Sequence, residues 1–126
     1  PVPTRVTHPA YPRWLIAPEN ILGGMASYHT SASWFWIGAW HIIALAKTGY
    51  LDEAQRLVSS ILRVIVRDRQ VNEVYAPNGQ PLASMWYTPE APLTWNAGMV
   101  IHAYHILENS RQEERKTLPI FDKIME

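Results

Sequence analysis

The 126 residues are 48% hydrophobic and 17% charged, which places the chain among globular proteins, as one domain or part of one, and outside the disordered class. Eleven Lys and Arg balance eleven Asp and Glu for a formal net charge of +0, so the basic footprint of a nucleic-acid binder or of a protein docking on an anionic membrane is absent. With no cysteine, disulfides, thiolate nucleophiles and Cys-ligated zinc are excluded together, while either redox compartment stays open.

In chain order, Pro1, Pro3, Pro9, Pro12 and Pro18 argue against an internal helix and predict an extended arm over residues 1–24. Tyr11, Trp14, Leu15 and Ile16 are expected to fold this arm against something apolar. The first residues carry neither an initiator Met nor an apolar h-region, so they read as a cut end rather than a signal peptide. Gly23-Gly24 then punctuates the chain, and the Ser/Thr-rich run that follows offers N-caps for a helix predicted from about Ser33 to Lys47, ended by Gly49.

Trp34, Trp36, Ile37, Trp40, Ile43 and Leu45 leave that helix almost no polar face, the pattern of a helix buried on nearly all sides, with Trp40 in the core and His41 hydrogen-bonded there. It is too short to span a bilayer, which takes ~20 residues. A second helix is predicted from Leu51, where Ala54, Val58, Ile61 and Ile65 recur at helical steps and Asp52, Glu53, Arg56 and Arg63 fill the other face. The pair reads as an amphipathic outer helix beside a buried inner one.

Residues 69–93 form a long connection rich in Pro and turn residues, holding Glu73, Tyr75, Trp86, Tyr87 and Glu90. Loops of such length in compact chains are usually functional or disordered, and the aromatics argue against disorder. The plainer alternative is that Trp86 and Trp95 pin a long loop onto a core. A third helix is predicted from Thr94 or Trp95 to about Glu108, with Ala97, Val100, Ile101, Tyr104 and Leu107 apolar, and residues 109–126 read as a solvated helical face or frayed tail.

Several short motifs occur in a telling order: Tyr28-His29-Thr30 before Trp34-Phe35-Trp36-Ile37-Gly38, Ala44-Leu45-Ala46-Lys47-Thr48-Gly49 before Glu53-Ala54, then the run from Glu73 to Pro81 and Trp95-Asn96-Ala97-Gly98-Met99. Over Met25 to Leu107 this resembles the C-terminal helical hairpins of the (α/α)6-barrel, or six-hairpin, glycosidases, nearest to the bacterial amylo-alpha-1,6-glucosidase-like and glycogen-debranching-like enzymes. The resemblance implies an all-α fold, part of an (α/α)6 toroid, and a glycoside hydrolase acting by acid/base catalysis on an alpha-glucan or small glucoside. It implies no cofactor or metal. The implied partners are a carbohydrate substrate and the remainder of the catalytic domain or another copy of the chain.

Glycoside hydrolysis usually takes two carboxyl groups, one donating a proton and one acting as base or nucleophile. Glu73 matches the position of the family's general base, in a Glu-x-Tyr motif, and His29 matches a substrate-side residue. The general acid is expected in an earlier hairpin, and nothing before Tyr28 matches it, so the chain alone is expected to hydrolyse little or nothing. Sugars present apolar C–H faces beside hydroxyl edges, which calls for flat aromatics next to carboxylates. Trp34, Trp36, Tyr75, Trp86 and Tyr87 near His29, Glu73, Asn78 and Glu90 supply that mixture, and His29, Trp34, Trp36, Tyr75, Trp86, Glu90 and Trp95 are taken as the substrate-binding residues. His102 and His105 share a helix face but have no third ligand at a suitable spacing, so they read as packed or surface histidines. The runner-up is a non-catalytic helical carbohydrate-binding or scaffold module, and a toroid of the terpene-cyclase or polysaccharide-lyase kind fits the helix alternation but not the motifs.

Overall fold

The apolar steps that begin at Leu51 wind into one continuous helix, α3 (Leu51–Asp68), which buries Leu51, Ala54, Val58, Ile61 and Val64 and leaves its charged side to solvent. Asp52 and Glu53 lie in its first turn and Arg67 in its last, each matching the helix dipole. The computed structural model describes residues 2–124, with side chains through Thr117. Among them the chain is all-α: a 3-10 turn (Arg13–Leu15), α1 (Pro18–Leu22), α2 (Phe35–Lys47), α3, and α4 (Thr94–Ile124), with only isolated β-bridges between extended segments.

Helix α2 starts two residues beyond the predicted Ser33, because Ser33 and Trp34 are extended. Ser33 exchanges both backbone hydrogen bonds with Tyr75, at 2.8 and 2.9 Å, so it anchors the long loop instead of capping the helix. At the other end the Thr48 hydroxyl donates to the Ala44 carbonyl at 2.8 Å, and Gly49 takes a φ of +85° that lets the chain reverse into α3. Gly38 permits a close approach, since a Cβ there would lie 2.8 Å from both Ile61 Cδ1 and Thr4 Oγ1.

Helix α2 lies between the other two long helices. Phe35, Ala39 and Ile42 of α2, Ala54, Val58 and Ile61 of α3, and Val100, Ala103 and Leu107 of α4 form one core, sealed at one end by Tyr75 and Val2. The Trp36 N–H donates to Asn96 Oδ1 at 3.2 Å, so α2 and α4 begin at the same end of the bundle, while α3 returns toward it through the Gly49 turn. Among the described residues no buried side-chain nitrogen or oxygen lacks a partner.

Three expectations are corrected here, and a fourth is bounded. Helix α2 is covered only where α3, α4 and the loop meet it, so within this chain Trp40, 55% exposed, and His41 are not core; the expectation of burial on nearly all sides concerned an intact protein, with one face open in this chain alone. Helix α4 does not stop near Glu108, since the Gln, Glu, Arg and Lys residues that follow favour helix and Arg111 reaches Asp52 at the start of α3, at 3.6 Å. Its buried line is Asn96, Val100, Ala103 and Leu107, which leaves Ile101 and Tyr104 outside at 59% and 41% exposure. In the arm, Val6 and Thr7 pair with the backbone of Ala32 and Thr30, but Tyr11, Trp14 and Leu15 stay exposed, and the short α1 forms with Pro18 in its first turn, where the missing N–H costs nothing. Of the 109–126 segment, residues 125–126 lie outside the described residues.

Candidate functional site

The loop after α3 is fastened first at its base. Arg69 takes a left-handed φ of 55° that turns the chain off the helix, and Asp68 then gathers three partners: the Arg67 guanidinium at 2.6 Å, the Tyr75 hydroxyl at 2.8 Å and the Asn72 amide at 3.3 Å. Tyr75 is fully buried, its ring 5.0 Å from that of Phe35. Burial and the bond to Asp68 push its hydroxyl pKa up to about 12, so it stays a neutral donor. The expectation that Tyr75 lines a substrate cleft is therefore corrected: it faces the core and anchors the loop. Asn78, another loop polar residue, closes a turn by accepting from the Gln80 N–H at 3.1 Å.

With Tyr75 drawn inward, Glu73 is held at the end of the bundle where α2 and α4 begin. Its N–H donates to the Glu90 carbonyl at 2.9 Å. The Glu73 carboxylate accepts from the Tyr28 hydroxyl on Oε1, and on Oε2 from the Tyr87 hydroxyl at 2.5 Å and the Glu90 N–H at 3.0 Å. Partial burial acts to raise its pKa, but the donors from Tyr28, Tyr87 and Glu90 outweigh it and hold the carboxyl below its ordinary range. Burial, together with the adjacent Glu73 carboxylate, pushes the Tyr28 and Tyr87 hydroxyls upward. The resulting state at neutral pH is a carboxylate served by two neutral phenols. A carboxylate has about four lone-pair positions, so the three bonds leave one acceptor position on Oε1 for a water or a ligand hydroxyl.

The two phenols that hold this carboxylate belong to a cluster of aromatic rings. Tyr28 meets His29, Trp34 and Tyr87 edge to face, with centroids 4.5, 5.0 and 5.5 Å apart, and His29 stacks nearly parallel on Trp34 at 6.2 Å. The Trp34 indole N–H donates to the Tyr28 carbonyl at 3.1 Å, and its ring packs at 9% exposure in a buried cluster with Ala32, Val74 and Leu82. The expectation that Trp34 lines a cleft is therefore corrected: it backs Tyr28 and His29 from below. Trp36 packs edge to face against Trp34 at 6.3 Å and against Trp40 at 4.8 Å, continuing the aromatic row onto the open side of α2. Of the predicted site residues, the structure thus gathers Glu73, His29, Trp34 and Trp36, with the Glu90 backbone bound to Glu73 and its side chain exposed. Trp86 and Trp95 make no bond to Glu73; they stand out at 79% and 60% exposure, Trp86 on the Ser84–Tyr87 turn and Trp95 in the first turn of α4.

Tyr28 and Asn96 were not singled out from sequence as parts of the site. Tyr28 lies 45 residues from its partner Glu73, and Asn96 reaches both Trp36 and the loop, contacts that spacing along the chain does not display. Among the described residues no group of three or more His, Asp or Glu side chains is arranged to hold a metal ion, and His102 and His105 are exposed on α4.

The two depressed carboxylates, Asp68 through Arg67 and Tyr75, Glu73 through its phenols, carry a pH consequence. Their folded-state pKa values lie below the ordinary 3.8 and 4.5, so the stability they contribute is fully present above those values and lost as pH falls through the folded ones. Urea unfolding midpoints are expected to drop between neutral pH and pH ~3 in the native chain, and less so in Asp68→Asn or Glu73→Gln. An equal drop in all three chains would show that neither carboxylate is responsible.

No family model, no curated protein and no solved structure was found to match the chain.

Proposed function

We propose that the end of the bundle where α2 and α4 begin is a carbohydrate site, and that Glu73 is the general base of a glycoside hydrolase acting on an alpha-glucan or small glucoside. The observation that carries this reading is the Glu73 carboxylate itself, braced by the Tyr28 and Tyr87 hydroxyls and the Glu90 N–H beside a cluster of aromatic rings. A base must be deprotonated at working pH and within reach of a water, and a sugar needs flat apolar faces beside polar groups. Glu90 and His29, both exposed at the rim, are placed to meet sugar hydroxyls. In an inverting reaction the second carboxyl stands ~6.5–9.5 Å away with the water between. In this reading that acid comes from another hairpin of an (α/α)6 toroid, which would also cover the exposed Trp40 side of α2.

One observation favours the runner-up, a helical carbohydrate-binding or scaffold module: three donors on Glu73 are also what a loop clamp requires. Ligand titration separates the two. Maltooligosaccharides are expected to change the tryptophan fluorescence of the folded chain, with the change reduced in Trp34→Phe and Trp36→Phe. No response across a broad glycan panel, with the fold intact, would leave the scaffold reading standing.

A further inference from the structure

Glu73 owes its backbone position to a residue on another helix. Its N–H is taken by the Glu90 carbonyl, and its own carbonyl accepts from Asn96 Nδ2 at 2.8 Å. The second proton of the same amide goes to the carbonyl of Asn72, also at 2.8 Å, so the Asn96 amide grips the peptide units on both sides of the Glu73 Cα. Asn96 Oδ1 accepts the Trp36 N–H at 3.2 Å. That N–H belongs to the first turn of α2, where donors have no partner within the helix, and the N-cap residue Trp34 offers no side-chain bond to replace one. Asn96 is itself 0% exposed.

We infer that Asn96 is a positioning residue for Glu73, a cap supplied to α2 by α4 whose two donors fix the backbone from which the Glu73 carboxylate reaches Tyr28 and Tyr87. The position demands two donors and one acceptor on a short side chain, which among natural residues describes asparagine. Aspartate keeps the shape and the acceptor but turns repulsive oxygens on two carbonyls. Alanine removes the partner of the Asn72 and Glu73 carbonyls and of the Trp36 N–H at once, and a polar group left unpaired away from water is unfavourable. When the grip fails, the loop backbone is free to shift, the phenol bonds lengthen, and Glu73 loses the donors that offset its burial.

That Glu73 performs chemistry rests on the carbohydrate reading above, whereas the link between Asn96 and the Glu73 carboxylate does not, and the test keeps them apart. In the full chain with ¹³C-carboxyl glutamate, the Glu73 resonance, identified by its loss in Glu73→Gln, reports its titration directly. The ionisable groups bonded to it are Tyr28 from the segment before α2 and Tyr87 from the loop, with Glu90 bonded through its backbone and His29 packed on the Tyr28 ring, while the first turns of α2 and α4 bring the neutral Trp36, Trp95 and Asn96. The Glu73 midpoint is expected to rise in Asn96→Ala and Asn96→Asp toward the ordinary carboxylate value. In the native chain the ¹⁵N side-chain amide of Asn96 is expected to shift with the Glu73 midpoint, a readout that needs no folded variant. A Glu73 midpoint unchanged in a folded Asn96 variant, or an Asn96 amide that stays flat while Glu73 titrates, would overturn the inference. Intact coupling beside full turnover of Glu73→Gln would instead sink the catalytic reading and leave this one standing.

Discussion

Under the proposed function, Glu73→Gln in an active glycosidase containing this chain is expected to lower turnover roughly a hundredfold to ten-thousandfold, the range that one positioned proton transfer supplies. Substrate affinity should change little. Glutamine keeps the volume and one oxygen, so part of the bonding from Tyr28, Tyr87 and the Glu90 N–H can persist, and the aromatic cluster is untouched. What the amide cannot do is accept the proton of an attacking water. Steady-state kinetics on the best glycoside, paired with a binding measurement, separate the two effects: a fall in kcat with preserved affinity marks a base, and a loss of affinity alone marks a binding residue. Near-native turnover would remove Glu73 as base and make Glu90, the other carboxylate of the loop, the next to replace.

Phe35→Ala is expected to be the most damaging single truncation of the fold, costing ~3–5 kcal/mol of stability in urea or thermal unfolding. Phe35 is 0% exposed at the first turn of α2 and stacks on Tyr75, so its ring sits between the helical core and the loop base. Domains are typically stable by only about 5–15 kcal/mol, which makes that loss a large share of the total. Because Tyr75 loses its neighbour, the damage should reach the Glu73 end as well. A loss below ~1 kcal/mol would mean that the site collapses around the missing ring, and that the loop is held chiefly by Asp68.

Sequence periodicity finds the starts of the three long helices to within about two residues and the stripe of α3 in full: Leu51, Ala54, Val58 and Ile61 can be read directly from their spacing, whereas the stripe and the end of α4 are missed. It failed where burial depends on what lies opposite. Trp40 and Ile101 look like core residues by type, yet they stand exposed, and Tyr75 looks like a cleft aromatic although its hydroxyl has the half-buried Asp68 to meet. Helix starts misled for a similar reason: Ser33 has the chemistry of a cap, but pairing with Tyr75 extends it, and the capping passes to Asn96, 60 residues away from Trp36. At the site, Glu73, His29 and Trp34 were legible from local motifs, whereas the phenol of Tyr28 on the carboxylate is a long-range contact that only the packed chain creates.

Under the proposed function, the Glu73 carboxylate meets a sugar through its remaining acceptor position. The most direct measurement follows the Glu73 ¹³C-carboxyl and Trp34 indole resonances of the folded chain as maltotriose and related alpha-glucosides are added, with Asp68 at the loop base as internal reference. The prediction is that Glu73 and Trp34 move together, saturably, while Asp68 stays in place. Glu73 and Trp34 resonances that remain fixed across the whole series, in a chain shown to be folded, would contradict it.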